Sequence, residues 1–136
     1  MVRLQSEAID YQALTEEVRS KQCGAVCLFL GTVREFTNGE QTQSLAYEGH
    51  PTLAPQLLAQ VEAETRSLWP VHELMLVHRI GRLELGEISV AVAVSSAHRE
   101  QAFAACQFAI DRLKKIVPIW KQEHRANGSS KWVHPQ

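Results

Sequence analysis

A proline near the C-terminus, Pro118, lies between two lysines that are seven residues apart, Lys114 and Lys121. Proline cannot continue a helix, and it restricts the residue before it to extended conformations. The segment therefore predicts a helix with Lys114 in its last turn, followed by an extended strand that brings Lys121 back beside it. Ile119 and Trp120 are expected to bury and hold that strand. Two lysines that converge beside apolar side chains favour an anion site or a proton-transfer pair. The alternative is that both are cations that merely suit a helix C-terminus.

The composition is that of an ordinary globular domain. The 136 residues are 45% hydrophobic and 21% charged, and their formal net charge is −1. This length fits a single domain, residues 1–136, with a hydrophobic core. The balanced charge argues against a general nucleic-acid surface. Because no apolar run could span a bilayer and the first residues lack the apolar core of a signal peptide, we expect a cytoplasmic protein with no membrane partner.

The cysteines and histidines indicate neither a metal site nor a catalytic thiol. Cys23, Cys27 and Cys106 form no C-x-x-C pair. Small core side chains are therefore favoured over a disulfide, a metal ligand or a nucleophile. The six histidines lack the i, i+4 or H-x-H spacing that is typical of zinc sites. We expect no metal and no cofactor.

Helix and strand patterns alternate along the chain. Asp10 is expected to cap a first helix over residues 11–21. Two more amphipathic helices are predicted, and the inner face of the last one is expected to include Phe103. The remaining predictions are helices over 51–68 and 98–117, a turn at 37–40, and strands over 24–31, 44–48, 73–79, 87–95 and 119–123.

This element order predicts the fold class. The runs 24–31 and 87–95 are typical of strands at the centre of a sheet. Mixed strands with packed helices make an α+β fold. We expect a mixed, largely antiparallel sheet with helices packed on one side, an α/β-hammerhead-like sandwich.

Further cations lie at the boundaries of the predicted elements. Arg34 follows the first strand just before an Asn-Gly turn, and an arginine there is a reasonable ligand clamp. His98 and Arg99 begin the third helix, whose N-terminus suits a phosphate or carboxylate. Solvated surface charges, with Ser96 as a simple helix cap, are the alternative. Gly81, at another strand end, is interpreted as a turn residue.

No motif indicates a nucleophile carried by the chain. There is no Ser-His-Asp set, no glycine-rich phosphate loop and no paired-carboxylate signature. An enzyme of this composition would supply cations and proton transfer, while another molecule brings the reactive group.

Several motifs, in their chain order, resemble the large, catalytic subunit of molybdopterin synthase. Together they cover about residues 24–133. The resemblance implies a sulfurtransferase of molybdenum cofactor biosynthesis, which converts cyclic pyranopterin monophosphate into molybdopterin by installing two dithiolene sulfurs. The motifs are Gly24-Ala-Val, Phe29-Leu-Gly-Thr-Val-Arg34, Tyr47-Glu48-Gly-His-Pro51, Val77-His-Arg-Ile-Gly81, Ser95-Ser-Ala-His-Arg99, Phe103 to Lys114, and Pro118-Ile-Trp-Lys-Gln-Glu123.

The resemblance also implies partners. Sulfur arrives as a thiocarboxylate on the C-terminal Gly-Gly of a small ubiquitin-like sulfur-carrier subunit, whose tail enters a pocket of the large subunit. Two large subunits form a homodimer at the core of a heterotetramer, with one small subunit at each end. Imported sulfur agrees with the inert pattern of the cysteines. The alternative function is a non-catalytic α+β module that binds a phosphate metabolite, or a scaffold that receives an acidic tail.

The family's site residues match positions of this chain. Lys121 is expected to transfer a proton at the reacting carbon, and Lys114 to orient the thiocarboxylate or stabilise an oxyanion. Burial beside a second cation is expected to lower the pKa of a lysine. In the family, His98 and Arg99 lie near the dimer interface and would serve the neighbouring subunit's pocket. The residues expected to contact substrate, besides the two lysines, are Thr32, Val33, Arg34, His98, Arg99, Gln122 and Glu123. Some relatives carry a basic residue where this chain has Thr32.

Overall fold

Nine strands and three helices make up the part of the chain that the structure describes. The computed structural model describes residues 1–133, so His134 lies outside the described residues. Within that range, no helix combines the length and the apolar character needed to cross a membrane. The elements are β1 (Val2–Gln5), α1 (Tyr11–Val18), β2 (Ala25–Thr32), β3 (Phe36–Thr37), β4 (Glu40–Gly49), α2 (Leu53–Leu68), β5 (Val71–Arg79), β6 (Gly81–Glu84), β7 (Ile88–Ser96), α3 (Arg99–Ile116), β8 (Ile119–Arg125) and β9 (Ser130–Val133).

The first sheet has the strand order β1-β5-β7-β2. β7 is antiparallel to both of its neighbours, whereas β1 is parallel to β5. The predicted central position of β7 is confirmed, and its residues from Ser89 to Ser96 are all buried. The same prediction for residues 24–31 is wrong, because β2 forms an edge and leaves Val26 and Phe29 exposed. A short apolar run alone does not distinguish a central strand from an edge strand.

In the second sheet, β4 is the strand with the most partners, and it pairs antiparallel with β8, β6 and β3. β8 in turn pairs with β9. The predicted turn before β4 is confirmed, since Asn38 and Gly39 have φ angles of 51° and 80°. Gly81 has a φ of 93°, which only glycine adopts readily, so its interpretation as a turn residue is also confirmed. β6 begins at this glycine and was not predicted.

Alternate residues of β7 face two different cores. Val92 packs with α2, α3 and residues of the second sheet, whereas Ala91 packs with α1. This alternation follows from the two-residue period of a strand. The predicted α+β class is confirmed. The expectation that the helices pack on one side is wrong for α1: α2 and α3 share one face of the first sheet, and α1 lies on the other face.

The ends of the helices follow their local sequence. The Asp10 side chain accepts a hydrogen bond from the backbone N–H of Ala13 at 3.0 Å, which confirms the predicted cap of α1. α3 ends at Ile116, as the proline predicts, and the next residue is extended. The inner face of α3 is rich in alanine, which lets the helix approach the sheet closely. Phe103 is instead 64% exposed, so its predicted place on that face is wrong.

Candidate active site

Lys114 and Lys121 lie close together. Lys114 is in the last turn of α3, and Lys121 is the third residue of β8. Burial and the positive charge of Lys121 lower the pKa of Lys114. The predicted convergence is therefore confirmed. Ile119 is buried and anchors the returning strand, whereas Trp120 is 44% exposed, contrary to the prediction that both are buried.

Two buried rings lie next to the lysines. Tyr47 on β4 is paired with Lys121 across the second sheet. Its ring contacts the imidazole of His78 edge-on, with the centroids 5.1 Å apart. Burial, followed by the charge of Glu123, raises the pKa of Tyr47, and a hydrogen bond with Ser89 opposes this shift. The rings form an uncharged floor for the cationic site.

His78 is neutral at physiological pH. Its side chain is almost fully buried, and this burial, together with the charge of Lys114, lowers its pKa to about 4. Its Nδ1 lies 2.8 Å from the backbone oxygen of Arg79. Because a carbonyl only accepts hydrogen bonds, Nδ1 carries the proton and donates it. His78 therefore adds no positive charge beneath the two lysines.

A row of alternating charges extends along β8 from Lys121. The Lys121 Nζ lies 3.4 Å from Glu123 Oε1, and Arg125 Nη2 lies 3.8 Å from Glu123 Oε2. Successive side chains of a strand point to opposite faces. Gln122 therefore lies on the other face of β8, and its position does not support the expected contact with substrate in this pocket. Glu123 is buried, and its carboxylate is engaged by two cations rather than open to substrate.

An apolar groove leads to Lys114. It has a volume of about 910 Å³ and lies between β2 and the outer face of α3. Its wall includes Phe29 from the edge strand and Phe103, Ile110 and Lys114 from the helix. A groove with apolar walls and a cationic end suits a peptide whose terminus is anionic.

The residues expected at the end of β2 have different surroundings. Thr32 and Arg34 are exposed. Val33 is buried in the core, its N–H donates to the Glu87 carbonyl, and its own carbonyl accepts from Gly86. Val33 thus fixes the backbone between two exposed neighbours, and its position does not support the expected substrate contact.

His98 and Arg99 lie at the far end of α3. Fifteen residues separate Arg99 from Lys114, which corresponds to about 22 Å along a helix. Both are exposed, so a single chain does not bring them to the lysines. Ser96 donates its hydroxyl to the Pro70 carbonyl and does not cap the helix. His98 occupies the cap position without a side-chain hydrogen bond.

The cysteines are free thiols. Burial and the neighbouring Cys27 raise the pKa of Cys106 to about 12, so this thiol is protonated and a poor nucleophile. In the described part of the chain, no three His, Cys, Asp or Glu side chains are grouped so that they could hold a metal ion.

Known proteins match this chain over most of its length. The family model described as MoaE protein matches residues 4–116. The molybdopterin synthase catalytic subunit of Halalkalibacterium halodurans is 41% identical over 133 residues, covering 98% of this chain and 85% of that protein. The corresponding subunit of Bacillus subtilis is 43% identical over 128 residues, covering 94% and 81%. The chain belongs to the MoaE family.

Solved structures support the same assignment. The crystal structure of molybdopterin synthase from Staphylococcus aureus matches with a TM-score of 0.90 and 42% identity, covering 96% of this chain and 94% of that one. A complex of subunits 1 and 2 of molybdopterin-converting factor from Helicobacter pylori matches with a TM-score of 0.77 and 25% identity, covering 98% and 88%. The resemblance drawn from the motifs is confirmed, and the chain is an enzyme subunit of molybdenum cofactor biosynthesis.

Sequence reasoning missed several residues of this MoaE-family site. Phe29 and Ile110 were treated only as apolar positions, and nothing local distinguishes a groove wall from a core. His78 was placed in the predicted strand over residues 73–79 and given no role in the site, although it lies beneath the lysines. Arg125 had a usable signal, because a strand places the second and fourth residues after Lys121 on the same face.

Proposed function

We propose that this chain transfers sulfur from a thiocarboxylated carrier to cyclic pyranopterin monophosphate, which yields the dithiolene of molybdopterin. The observation that carries the proposal is an apolar groove that reaches Lys114, with Lys121 close enough to lower the pKa of that lysine. A C-terminal Gly-Gly tail has no side chains, so it can enter this groove and bring its anionic end to the lysines. The small subunit in the matched Helicobacter pylori complex supports a carrier partner. We place the reaction in the cytoplasm.

The two lysines have different proposed roles. Lys121 is held by the buried carboxylate of Glu123 and transfers a proton at the reacting carbon. Lys114 has a lowered pKa, orients the thiocarboxylate and stabilises the oxyanion that forms when its carbonyl is attacked. An anion placed between two neighbouring cations relieves their mutual repulsion, so the arrangement favours a bound thiocarboxylate.

A homodimer would complete this site. Arg99, Phe103, Ile110 and Lys114 follow one another at helical spacing along α3, and Phe103 is 64% exposed beside the exposed Phe29. Packing two copies about a two-fold axis would cover Phe29 and Phe103 and leave the Lys114 end of the groove open to the carrier tail. With α3 antiparallel to its copy, His98 and Arg99 of one protomer approach Lys114 of the other. These cations, with Arg34, would then bind the phosphate and pterin.

The direct experiment combines the purified chain, a thiocarboxylated carrier and cyclic pyranopterin monophosphate. Formation of the dithiolene product is expected, and the same carrier ending in a carboxylate should give none. Lys121→Ala should lower turnover by about 10²–10⁴-fold while the carrier complex remains intact. Lys21→Ala removes an exposed lysine that does not line the groove and is the control. Binding of the components without product would instead favour a phosphate-metabolite-binding module. Full turnover by Lys121→Ala would remove Lys121 from the mechanism.

A further inference from the structure

We propose that Arg125 is a positioning residue for Lys121, acting through the carboxylate that lies between them. Only its expected effect on turnover rests on the function proposed above. The contacts themselves belong to the fold, and they can be tested without any sulfur transfer.

Four side chains of alternating charge contact one another in a row: Lys121, Glu123, Arg125 and Glu40. Glu123 directs one oxygen to Lys121 at 3.4 Å and the other to Arg125 at 3.8 Å. The same Arg125 nitrogen lies 2.8 Å from Glu40 Oε2. The Nε of Arg125 is buried and has no acceptor among the described residues, so the two carboxylates set the position of the guanidinium. The four formal charges cancel.

The burial of the Glu123 carboxylate explains why both cations are needed in this row of charges. Glu123 is only 7% exposed, and a carboxylate so buried is stable only when cations or hydrogen-bond donors compensate it. Lys121 and Arg125 share that task, one oxygen each. Glu40 competes with Glu123 for Arg125 and is itself 57% exposed at its side chain.

The backbone keeps Arg125 in place. Arg125 is the last residue of β8 and is paired with Thr42 of β4. The next residue, Ala126, donates its N–H to the Gln41 carbonyl at 3.0 Å. Glu40 begins β4 directly after the Asn38-Gly39 turn. The ion pair therefore joins this turn to the strand that carries Lys121.

The position of the Lys121 ammonium follows from this competition. Without Arg125, the Glu123 carboxylate has one cation left and closes on Lys121, which holds the ammonium more tightly. Without the Glu123 charge, Lys121 is released. The two changes therefore move Lys121 in opposite directions, which a mere loss of stability would not do.

Site-specific labelling of Lys121 measures this effect. The rate of reductive dimethylation at Lys121, followed by peptide mass spectrometry, should fall about two- to fivefold in Arg125→Gln and rise by a similar factor in Glu123→Gln. Arg125→Lys should restore a rate near that of the wild type. Arg82→Gln removes an exposed ion pair with Glu84 and is the matched control, with no expected change.

A second variant keeps the proposal testable if Arg125→Gln does not fold. Glu40→Gln alters an exposed side chain and removes the carboxylate that competes with Glu123 for Arg125. Because Glu123 then pairs more strongly with Arg125 and less strongly with Lys121, Lys121 should be labelled faster. In the turnover assay, Arg125→Gln should lower kcat and leave the KM for the carrier unchanged. Equal labelling rates in wild type, Arg125→Gln and Glu40→Gln, or shifts of the same sign in all variants, would overturn the proposal. Opposite shifts would uphold it even if the wild-type chain transferred no sulfur.

Discussion

The imidazole of His78 contacts the ring of Tyr47 edge-on at 5.1 Å, and Tyr47 is paired with Lys121 across β4 and β8. The charge of Lys114, on α3, also lowers the pKa of His78. These two rings thus lie between elements that are far apart in the chain and meet only at the site. Because both rings are uncharged, Lys114 and Lys121 lie close together without a third positive charge beneath them.

The low pKa of His78 predicts a loss of stability in mild acid. The unfolded chain binds this proton as the pH falls below the ordinary value of 6.5, whereas the folded chain does so only near 4. The folded state therefore loses up to about 3 kcal/mol between these two values. Urea unfolding at a series of pH values measures the loss. His78→Gln should be less stable at pH 7 but show a flatter pH dependence.

A matched variant controls for the other groups that titrate in this range. His72 is exposed on the same strand, β5, so His72→Gln should keep the wild-type pH dependence. If His78→Gln and wild type lost stability in parallel, the burial of a neutral His78 would not be the cause.

Lys114 should be required for turnover but not for folding. Lys114→Ala removes a half-buried cation at the end of the groove, and turnover should fall by about 10²–10³-fold because an oxyanion loses its stabilising charge. Thermal unfolding should change little, since the ammonium makes no ion pair among the described residues. Lys21→Ala should leave turnover unchanged. Wild-type turnover in Lys114→Ala would exclude the proposed role.

The cysteines should be dispensable for sulfur transfer. The pKa of Cys106 is raised to about 12, so iodoacetamide at pH 8 should modify it far more slowly than the half-buried Cys23 and Cys27. Cys27→Ser and Cys106→Ala should keep their turnover, because the sulfur comes from the carrier. Alkylation is followed by mass spectrometry. Loss of product in either variant, with folding intact, would point to a sulfur relay on this chain instead.

Local chemistry accounts for the parts of the fold that were predicted. Pro118 ends α3 whatever its surroundings, and Asp10 caps α1 through its own side chain. The end of α3 and the start of α1 could therefore be predicted from neighbouring residues. The edge position of β2 was not readable, because strand order depends on distant pairing. Phe103 was placed in the core because its spacing fits a helix face, yet the alanines of α3 fill that face.

The site was predictable to a similar extent. Convergence of Lys114 and Lys121 follows from a helix end and a strand that returns beside it. The ion pair between Glu40 and Arg125 joins two residues that are 85 positions apart in the chain, so no local pattern indicates it. Gln122 matched a motif, but the alternation of β8 turns it away from the lysines.

The central claim is that cations distant along the chain meet around one cavity. Subunit complementation tests this claim most directly. Lys121→Ala and Arg99→Ala should each be inactive alone, because every homodimer lacks one part of both sites. After the two variants are mixed and exchange subunits, half of the dimers are mixed, and each contains one intact site. The account predicts recovery of about one quarter of wild-type turnover. No recovery, despite subunit exchange shown by native mass spectrometry, would contradict a site shared between protomers.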